Sequence, residues 1–560
     1  MRRFIIILVI LYLSCMTVFG QDSPSEPFED VSPEHWAYDV SHRLRDLEIT
    51  DGIGNNKFGL GEPIRRGQFI TFLVRLMKLE GPSSDISNFM DTSKDLYYYK
   101  PIETALTHGI IKKDSEYFRP DDYITREEMA VMIVRALGYD QLAIQLNKGP
   151  SSFQDVNEST GYIMIARDLG IIQGSGNNNF NPKGIANREH AAAMMIRMYD
   201  LLNNSIKEVH GFYAIQSNSQ KELIPSLNSV SFGWSRLEYE ELTDSVLLNK
   251  TKSNNNVFAE PMGAQELLEY TNDHKVSRQL MIFAENTKFS NISELGLVEY
   301  ILSDKDLQNE TIELIINEIS NNNKYDGILI DFELMRGNHL AKLYNDFLHI
   351  LKKELKVHNK HLYVAVHPIR MPGQPYYDGY DYKTIGEIAD KVIIMAHDYG
   401  AKKLTEQEML HKYTVTPLTP IDEVYYAIKA ATDSDTGIED KTKIWLQISF
   451  DSIQWKIKDN IIINSTAFRP SYDAIYNRML QDNVILNYSN NLESPYITFL
   501  NESDETDNII WYENTRSINA KIDLARLFGV EGISIWRLGN IPNFNEQSQL
   551  DVWQSIINNK

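Results

Sequence analysis

The stretch that decides the fold is YDGILIDFE, residues 325–333. A short apolar run closed by acidic residues predicts a buried strand whose last residues emerge at a site. Side chains alternate along a strand, so Leu329, Asp331 and Glu333 share one face. Alternate Cα atoms on a strand are about 6.6 Å apart, close enough for two carboxylates to interact. The same pattern also fits a strand that ends in solvated acids. The surrounding sequence must therefore decide between a functional site and a solvated strand end.

Apolar, strand-like runs alternate with helical patterns over residues 207–558. This alternation predicts parallel strands joined by crossover helices. Eight such strands fit an α/β TIM barrel. The surplus sequence between Trp455 and Trp511 predicts a small α+β insertion at about residues 456–510. The predicted strands are Gly211–Ile215, Ser229–Gly233, Gln279–Ala284, Gly327–Asp331, Leu362–Val366, Val392–Ala396, Ile444–Ser449 and Gly532–Trp536.

Polar and aromatic residues stand at the carboxyl ends of several of these predicted strands. In a TIM barrel the chemistry gathers at that end, because the loops that follow the strands meet there. The joint placement of these residues therefore favours a site over solvated acids. They are Asp331, Glu333, His367, His397, Asp398, Asp451 and Trp536.

The acidic motif of residues 326–333, Asp-Gly-x-x-x-Asp-x-Glu, resembles the signature of glycoside hydrolase family 18. That family contains chitinases and related N-acetylglucosaminidases. Residues 395–399, MAHDY, are similar to the family's Met-x-Tyr-Asp strand, and Gly532–Trp536 is similar to its last strand. Residues 511–514, WYEN, resemble the branch of spore-cortex and cell-wall N-acetylglucosaminidases.

The resemblance implies substrate-assisted retention, in which the 2-acetamido oxygen of the sugar attacks its own anomeric carbon. Glu333 would be the general acid and base, and Asp331 would orient the acetamide. His397 would complete the catalytic set by a hydrogen bond to the acetamide, while Trp536 would stack under the sugar ring. The resemblance also implies Met395 and Asp398 as substrate-binding residues, with no metal and no cofactor.

Two residues depart from the family pattern. Leu329 stands where the family often has an acid or an amide, and an apolar neighbour predicts a raised pKa for Asp331. His397 stands where tyrosine is usual, so its charge is expected to change near pH 6.5 unless it is simply a packed histidine. These departures leave open an alternative function, a catalytically weak or inactive glycan-binding surface protein.

The N-terminal third contains three repeats with a period of about 60 residues. They begin with FEDV at residues 28–31, FMDT at 89–92 and FQDV at 153–156. We expect repeats at about 28–85, 89–148 and 153–204, each rich in helix. Each second helix is entered through an arginine, and Thr125 with Glu128 forms a predicted capping box at the second entry. The three arginines are Arg66, Arg126 and Arg188.

These repeats resemble S-layer homology repeats, which dock secreted proteins onto secondary cell-wall polysaccharide. The resemblance implies that the three entry arginines bind this polysaccharide. A guanidinium group at a helix N-terminus suits an anionic sugar substituent. The alternative is that the arginines pair with neighbouring acids such as Glu127 or Glu189.

Composition and charge limit the class of protein. The chain has 560 residues, of which 42% are hydrophobic, which predicts more than one packed domain. A formal net charge of −22 argues against nucleic acid as a partner. No Gly-rich phosphate loop or Cys/His metal cluster occurs in the sequence.

The first 20 residues predict a secretory signal peptide, with two arginines followed by an apolar run. The single cysteine, Cys15, lies within it and leaves open a lipoprotein alternative. After cleavage the mature chain would hold neither a cysteine nor a transmembrane segment. We therefore expect a secreted protein attached to the bacterial cell wall.

Overall fold

The computed structural model describes residues 26–82, 87–149, 151–320, 324–411, 415–544 and 546–560. The predicted signal peptide, residues 1–20, and Cys15 lie outside the described residues. The described residues form two compact units. The first comprises residues 26–129 and 183–196, and the second comprises residues 130–182 and 197–560. Within the described ranges, no helix has both the length and the apolar character needed to span a membrane.

Helices precede the first strand in the part of the chain that carries the repeats. They are α1 (Tyr38–Asp46), α2 (Arg66–Leu76), α3 (Tyr99–Thr107), α4 (Arg126–Ala136), α5 (Asp140–Leu146), α6 (Thr160–Asp168) and α7 (Arg188–Leu202). The capping box at the start of α4 is present, because the Glu128 side chain accepts from Thr125 N–H at 2.9 Å and Thr125 Oγ1 accepts from Glu128 N–H at 3.2 Å. The predicted entry into the second helix of that repeat is thereby confirmed.

The aspartate of each opening motif accepts hydrogen bonds from backbone amides of a later turn in its repeat. Asp30 accepts hydrogen bonds from the backbone N–H groups of Phe58 and Gly59, both at 2.7 Å. Asp91 and Asp155 accept from two consecutive amides in the equivalent turns, at 2.7–2.9 Å. An acid at this position therefore satisfies amides that the turn leaves without backbone partners.

Three short extended segments of the first unit bond to one another in a closed ring. Ile64 N–H donates to Ala186 O at 3.0 Å, and Ile124 N–H donates to Ile64 O at 3.1 Å. Ala186 N–H donates to Ile124 O at 3.4 Å and closes the cycle. Helices α2, α4 and α7 each begin two residues after one of these positions. The three repeats thus contribute equivalent segments to one centre.

The second unit contains the strands. They are β1 (Glu208–Tyr213), β2 (Ser229–Phe232), β3 (Arg236–Glu240), β4 (Ser245–Asn249), β5 (Ser277–Glu285), β6 (Gly327–Glu333), β7 (His361–Val366), β8 (Lys391–Ile394), β9 (Ile444–Ser449), β10 (Ile453–Lys458), β11 (Ile461–Ile462), β12 (Val484–Ser489), β13 (Ser494–Asn501), β14 (Thr506–Trp511) and β15 (Gly532–Trp536).

Eight of these strands form a closed parallel barrel. Their order is β2-β1-β15-β9-β8-β7-β6-β5, and pairing between β2 and β5 closes it. The predicted TIM barrel is therefore confirmed, although the observed β6 runs two residues further than predicted, to Glu333. The close approach of β15 to β9 requires glycine at position 532, since a Cβ atom there would lie 1.6 Å from Trp445 Cδ1.

The second unit also contains helices between and after its strands. They are α8 (Ala264–Asp273), α9 (Leu297–Ser303), α10 (Lys305–Ser320), α11 (Asn338–Val357), α12 (Tyr382–Ile388), α13 (Glu406–Met409), α14 (Ile421–Ala431), α15 (Tyr472–Met479), α16 (Thr515–Leu527) and α17 (Val552–Asn558). In α11 the apolar residues recur at helical spacing and are buried, including Tyr344 and Phe347. Both rings lie 5.7 Å from the ring of Phe332 on the outward face of β6. This packing fixes which face of β6 turns inward.

Two further sheet regions adjoin the barrel. Strands β3 and β4 form an antiparallel hairpin that pairs with the end of β5, and the sequence did not predict it. Strands β10 to β14 form a separate five-stranded antiparallel sheet spanning Ile453–Trp511, accompanied by α15. Its apolar cluster includes Trp455 and Trp511, the two residues that bracket the predicted insertion.

A buried carboxylate joins α6 to α14 within the second unit. The side chain of Asp168 is 4% exposed and lies 2.6 Å from Lys429 Nζ and 2.7 Å from Arg167 Nη2. It also accepts a hydrogen bond from the hydroxyl of Tyr425 at 2.5 Å. The helices of residues 130–182 are thus tied to the barrel by charge as well as by packing.

We expect Asp168→Asn to lower the melting temperature of the second unit. Removing one partner of a buried pair leaves two cations with weaker acceptors, which costs about 2–4 kcal/mol once the partial exposure of the partners is discounted. Calorimetry of the full chain measures the change. Asp273→Asn, at an exposed position in α8, is the control and should leave the transition in place. Equal melting curves for both variants would contradict the prediction.

Candidate active site

The two acids of the deciding stretch lie at the carboxyl end of β6 on its inward face. Asp331 is 3% exposed, and Glu333 is partly buried at the end of the strand. Leu329, on the same face, packs in the barrel interior with Met281, Tyr363 and other apolar side chains. The alternation along β6 therefore leads from the apolar core to the carboxyl pair at the rim.

Neighbouring strands bring further groups to the same rim. Glu285 on β5 is paired in register with Glu333. His367 follows β7, and its Nε2 lies 3.7 Å from Oε2 of Glu333. His397 follows β8, and Trp536 ends β15 with its ring 5.2 Å from that of Phe212. Parallel strands place their carboxyl ends at one rim, which is why residues distant in sequence meet here.

Glu333 lines two cavities. One has a volume of about 590 Å³ and is lined also by Trp536, Glu285 and the β3–β4 hairpin. The other has a volume of about 180 Å³ and is lined also by Met395, His397 and Asp398. Four of the predicted site residues therefore share the smaller cavity and Trp536 shares the larger one. Asp331 lines neither and lies buried within β6.

Burial governs the protonation of the two acids. It raises the pKa of the Asp331 carboxyl well above its usual range. Burial is also the largest cause of the raised pKa of Glu333, and the nearby charges of Asp331 and Glu285 raise it further. Desolvation is therefore the main cause of the raised pKa of Glu333, and the charge of Asp331 is a smaller one. A carboxyl that keeps its proton near neutral pH is suited to act as a general acid.

His397 belongs to a network of charged and polar groups. Its Nε2 lies 2.6 Å from Oε1 of Gln447 on β9, and its Nδ1 lies 3.5 Å from Oδ2 of Asp398. Burial lowers the pKa of His397, but the hydrogen bond and charge of Asp398 and the contact with Gln447 outweigh it, so the pKa is raised. The expectation that its charge changes near pH 6.5 is therefore corrected upward.

Asp398 is the anionic member of that network. Burial opposes its charge, but His397 and Lys402 together lower its pKa well below the usual range. Lys402 Nζ lies 2.7 Å from its carboxylate. Asp398 therefore stays ionised beside a cation, while the two acids of β6 keep their protons more readily.

Along the inward face of β6, Asp331 has the apolar Leu329 on one side and Glu333 on the other. Among the described residues, Oδ1 of Asp331 has no hydrogen-bond partner. An unsatisfied buried carboxyl oxygen is costly when charged, which agrees with the raised pKa. The raised pKa that Leu329 predicts for Asp331 is therefore found in the structure.

The three entry arginines of the repeats differ in exposure. Arg66 is buried, pairs with Glu128 and donates from Nε to Phe118 O at 3.0 Å. Arg188 is 2% exposed and donates from Nε to Phe58 O at 2.8 Å. Arg126 is only partly buried. Protein groups therefore occupy the guanidinium groups of Arg66 and Arg188, so their role in wall binding stays a prediction.

Some residues around the candidate site were not predicted from the sequence. The β3–β4 hairpin contributes Arg236, Glu238 and Tyr239 to the larger cavity, and β9 contributes Gln447 as the partner of His397. Gln447 sits in a predicted strand, where alternation could have flagged an inward polar residue. Within the described ranges, no group of three or more His, Cys, Asp or Glu side chains could hold a metal ion.

Comparison with known proteins gives matches on both parts of the chain. Residues 285–540 match the family model for glycosyl hydrolases family 18, and residues 88–130 and 152–192 match the S-layer homology domain. The exoglucanase XynX of Acetivibrio thermocellus is 32% identical over 186 residues, which are 32% of this chain and 17% of that protein. The cortical fragment-lytic enzyme of Bacillus anthracis is 26% identical over 263 residues, which are 46% of this chain and 56% of that enzyme.

A solved structure shows the same fold. The C-terminal domain of a proposed chitinase from Desulfitobacterium hafniense has a TM-score of 0.50 and 17% identity, over 64% of this chain and 99% of that one. At this identity the likeness concerns the fold alone. Together with the family matches, the barrel and its acidic strand establish that the chain carries a glycosyl hydrolases family 18 domain preceded by S-layer homology domains.

Proposed function

We propose that the protein is a cell-surface-anchored glycosidase that hydrolyses a β-1,4-linked glycan containing N-acetylglucosamine, with peptidoglycan favoured over chitin. One observation carries the proposal. Glu333, whose pKa is raised by burial, lines two cavities at the rim of the barrel, with Asp331 beside it on the same strand face. A protonated carboxyl with open space on two sides can reach an oxygen that bridges two sugars.

In the first step Glu333 gives its proton to the glycosidic oxygen. The acetamide oxygen of the sugar forms a bond to the anomeric carbon while the bond to the leaving oxygen breaks. Asp331 orients the acetamide, and His397 donates to it from Nδ1, exchanging its 3.5 Å contact with Asp398 for that bond while Nε2 keeps its contact with Gln447. Trp536 offers a ring face to the sugar from the larger cavity.

In the second step the Glu333 carboxylate takes a proton from water. The water oxygen bonds to the anomeric carbon, the acetamide oxygen leaves, and configuration is retained. The same side chain acts first as acid and then as base, so its pKa must lie near the working pH. Burial that raises the pKa of Glu333 toward neutrality meets that requirement.

Two findings support peptidoglycan as the glycan. The S-layer homology domains of residues 88–130 and 152–192 suit a protein held at the bacterial wall. A relative that covers 46% of this chain is named a cortical fragment-lytic enzyme. A chitin substrate would need no attachment to the wall of the cell that makes the enzyme.

A digest of defined substrates tests the function. We expect the purified chain to cleave peptidoglycan glycan strands and, more slowly, chitooligosaccharides. Borohydride reduction followed by mass spectrometry identifies the new reducing end, which should be N-acetylglucosamine. Proton NMR of the first product formed should show the β-anomer. A folded protein that releases no reducing ends from either substrate would refute the glycosidase proposal.

A second candidate function is a glycan-binding surface protein without turnover. The observation that favours it is Asp331, whose pKa is raised by burial and whose Oδ1 has no partner in the described part of the chain. A neutral Asp331 would stabilise positive charge on the oxazolinium poorly. Calorimetry that detects tight sugar binding, with no products in the digest, would favour this candidate.

His397→Tyr is expected to keep most of the activity and to move the alkaline limb of the pH profile upward. A tyrosine hydroxyl can still donate to the acetamide. The cationic His397 lowers the pKa of Glu333, so its removal raises that pKa and Glu333 keeps its proton to higher pH. The measurement is kcat/KM against pH, with His339→Tyr at an exposed position of α11 as control. An unchanged profile would remove His397 from the site.

We also propose that the repeats attach the protein to secondary cell-wall polysaccharide, with Arg126 as a contact. Since Arg66 and Arg188 are buried, Arg126 is the arginine whose replacement tests binding without opening the interior. Arg126→Ala should weaken sedimentation with purified wall sacculi about tenfold, the effect of one charge-assisted hydrogen bond.

The control for Arg126→Ala is Lys100→Ala, which removes one exposed charge from the same repeat. Both variants should melt like the parent protein. Deleting all of residues 28–204 is a poorer test, because residues 130–182 belong to the same compact unit as the barrel. Equal sedimentation of both variants and the parent would contradict the role of Arg126.

A further inference from the structure

His367 lies beside Glu333 at the rim of the barrel. It follows β7, which is paired with β6 in the barrel. Its Nε2 lies 3.7 Å from Oε2 of Glu333, and within the described residues this nitrogen has no hydrogen-bond partner. A small movement of the carboxyl group would bring the two atoms within bonding distance.

The position of the His367 ring is fixed by its surroundings. The backbone carbonyl of His367 accepts a hydrogen bond from the Tyr382 hydroxyl at 2.6 Å. Its ring lies 4.6 Å from that of Tyr377 and 6.0 Å from that of Tyr380. Tyr380 in turn donates to Phe332 O at 2.7 Å, the residue between the two acids. The ring is therefore held against the carboxyl end of β6 from two directions.

The charge around this contact favours a neutral imidazole. Burial lowers the pKa of His367 to about 4, and the nearby His397 also lowers it. At neutral pH His367 is therefore an uncharged donor beside a carboxyl group. The charged and titratable groups that face the pair are Asp331 on β6, Glu285 on β5, His397 and Asp398 after β8, and Arg336 after β6.

The contact between His367 and Glu333 matters because Leu329, the neighbour of the two acids on the inward face of β6, is apolar. Polar groups that support the acids must therefore come from another strand. We propose that His367 is a positioning residue for Glu333, which orients its carboxyl group and donates from Nε2–H to the carboxylate that remains after the proton has gone to the leaving oxygen. This inference rests on the proposed function and adds a residue that acts through Glu333.

Kinetics of two variants test the role. His367→Ala should lower kcat about ten- to hundredfold with little change in KM, because the lost hydrogen bond forms to a charge that develops during the reaction. His367→Gln should restore most of kcat, since its side-chain amide can place an N–H near the same point. His339→Ala in α11 is the matched control and should behave like the parent.

The pH dependence separates positioning from a general structural effect. Losing a donor to the carboxylate disfavours the charged form, so the pKa of Glu333 rises in His367→Ala and the alkaline limb moves to higher pH. In His367→Gln the limb should return toward that of the parent. A limb that stays in place in His367→Ala, or glutamine behaving like alanine, would overturn the proposal.

A titration without substrate keeps this test independent of turnover. Carbon NMR of protein labelled at the glutamate carboxyl carbons follows Glu333, whose signal is assigned by its absence in Glu333→Gln. We expect a higher pKa in His367→Ala than in the parent and in His367→Gln. Equal pKa values of Glu333 in the parent, His367→Ala and His367→Gln would overturn the proposed hydrogen bond between His367 and Glu333. A parent protein that cleaves no glycan would refute the proposed function, while this titration would still decide the role of His367.

Discussion

Glu333→Gln is expected to lower kcat by about 10²- to 10⁴-fold, the usual contribution of a general acid and base. Glutamine keeps the shape of the side chain but carries no acidic proton and cannot accept one from water. Substrate binding should persist, because the ring of Trp536 and the groups around His397 are unchanged. The measurement is the initial rate on reduced and separated peptidoglycan fragments, with Kd from calorimetry.

The stability of Glu333→Gln should not fall. A carboxyl whose pKa is raised in the folded state destabilises that state progressively as pH rises from the unfolded-state pKa to the folded-state pKa, because its charged form is poorly solvated in the folded protein. Replacing it by a neutral amide removes this cost, so the melting temperature above neutral pH should stay equal or increase. Glu294→Gln, at an exposed carboxylate, is the control for charge alone. Full activity in Glu333→Gln would end the enzymatic proposal.

Asp331→Asn is expected to lower kcat by about 10²- to 10³-fold, comparable with the loss of a group that stabilises developing charge. Asparagine fits the same buried space, so the fold should be kept. Removing a like charge beside Glu333 lowers the pKa of that acid, and the alkaline limb of the pH profile should move to lower pH. The profile of kcat/KM and the melting temperature together measure these effects.

Asp326→Asn gives the matched contrast to Asp331→Asn. Asp326 accepts from Arg278 Nε and Nη2, both at 3.0 Å, at the start of β6 and far from its acidic end. Its replacement should lower the melting temperature while kcat stays near that of the parent. If Asp331→Asn remained fully active, the acetamide would need no help from this acid, and the substrate-assisted mechanism would lose its second carboxylate.

The fold was predictable because its signals are local. Apolar runs of strand length alternate with helical patterns. Each of the eight predicted runs forms one of the eight strands of the barrel. The boundaries shifted by a few residues, as for β1, which begins at Glu208 rather than Gly211. The β3–β4 hairpin was not predicted, although Arg236–Glu240 alternates between polar and apolar residues, and its place in the sheet is defined by its pairing with β5.

The candidate site was predictable only for residues that belong to a sequence motif or end a predicted strand. Asp331, Glu333, His397, Asp398 and Trp536 were predicted as site residues because strand ends and motif spacing mark them. Gln447, the partner of His397, lies 50 residues further along the chain, and only the adjacency of β8 and β9 brings it near. The burial of Arg66 and Arg188 could likewise not be predicted from the sequence, because an arginine at a helix start can face either solvent or the interior.

The sequence by itself determined the barrel, its acidic strand and the recurrence of the N-terminal repeats, because periodicity and turn chemistry act over a few residues at a time. Only the tertiary structure decided which side chains share a cavity, which acids are desolvated and which histidine faces Glu333. Those properties depend on atoms that other strands bring into contact, and a pKa is set by that surrounding dielectric and charge rather than by neighbours in the chain.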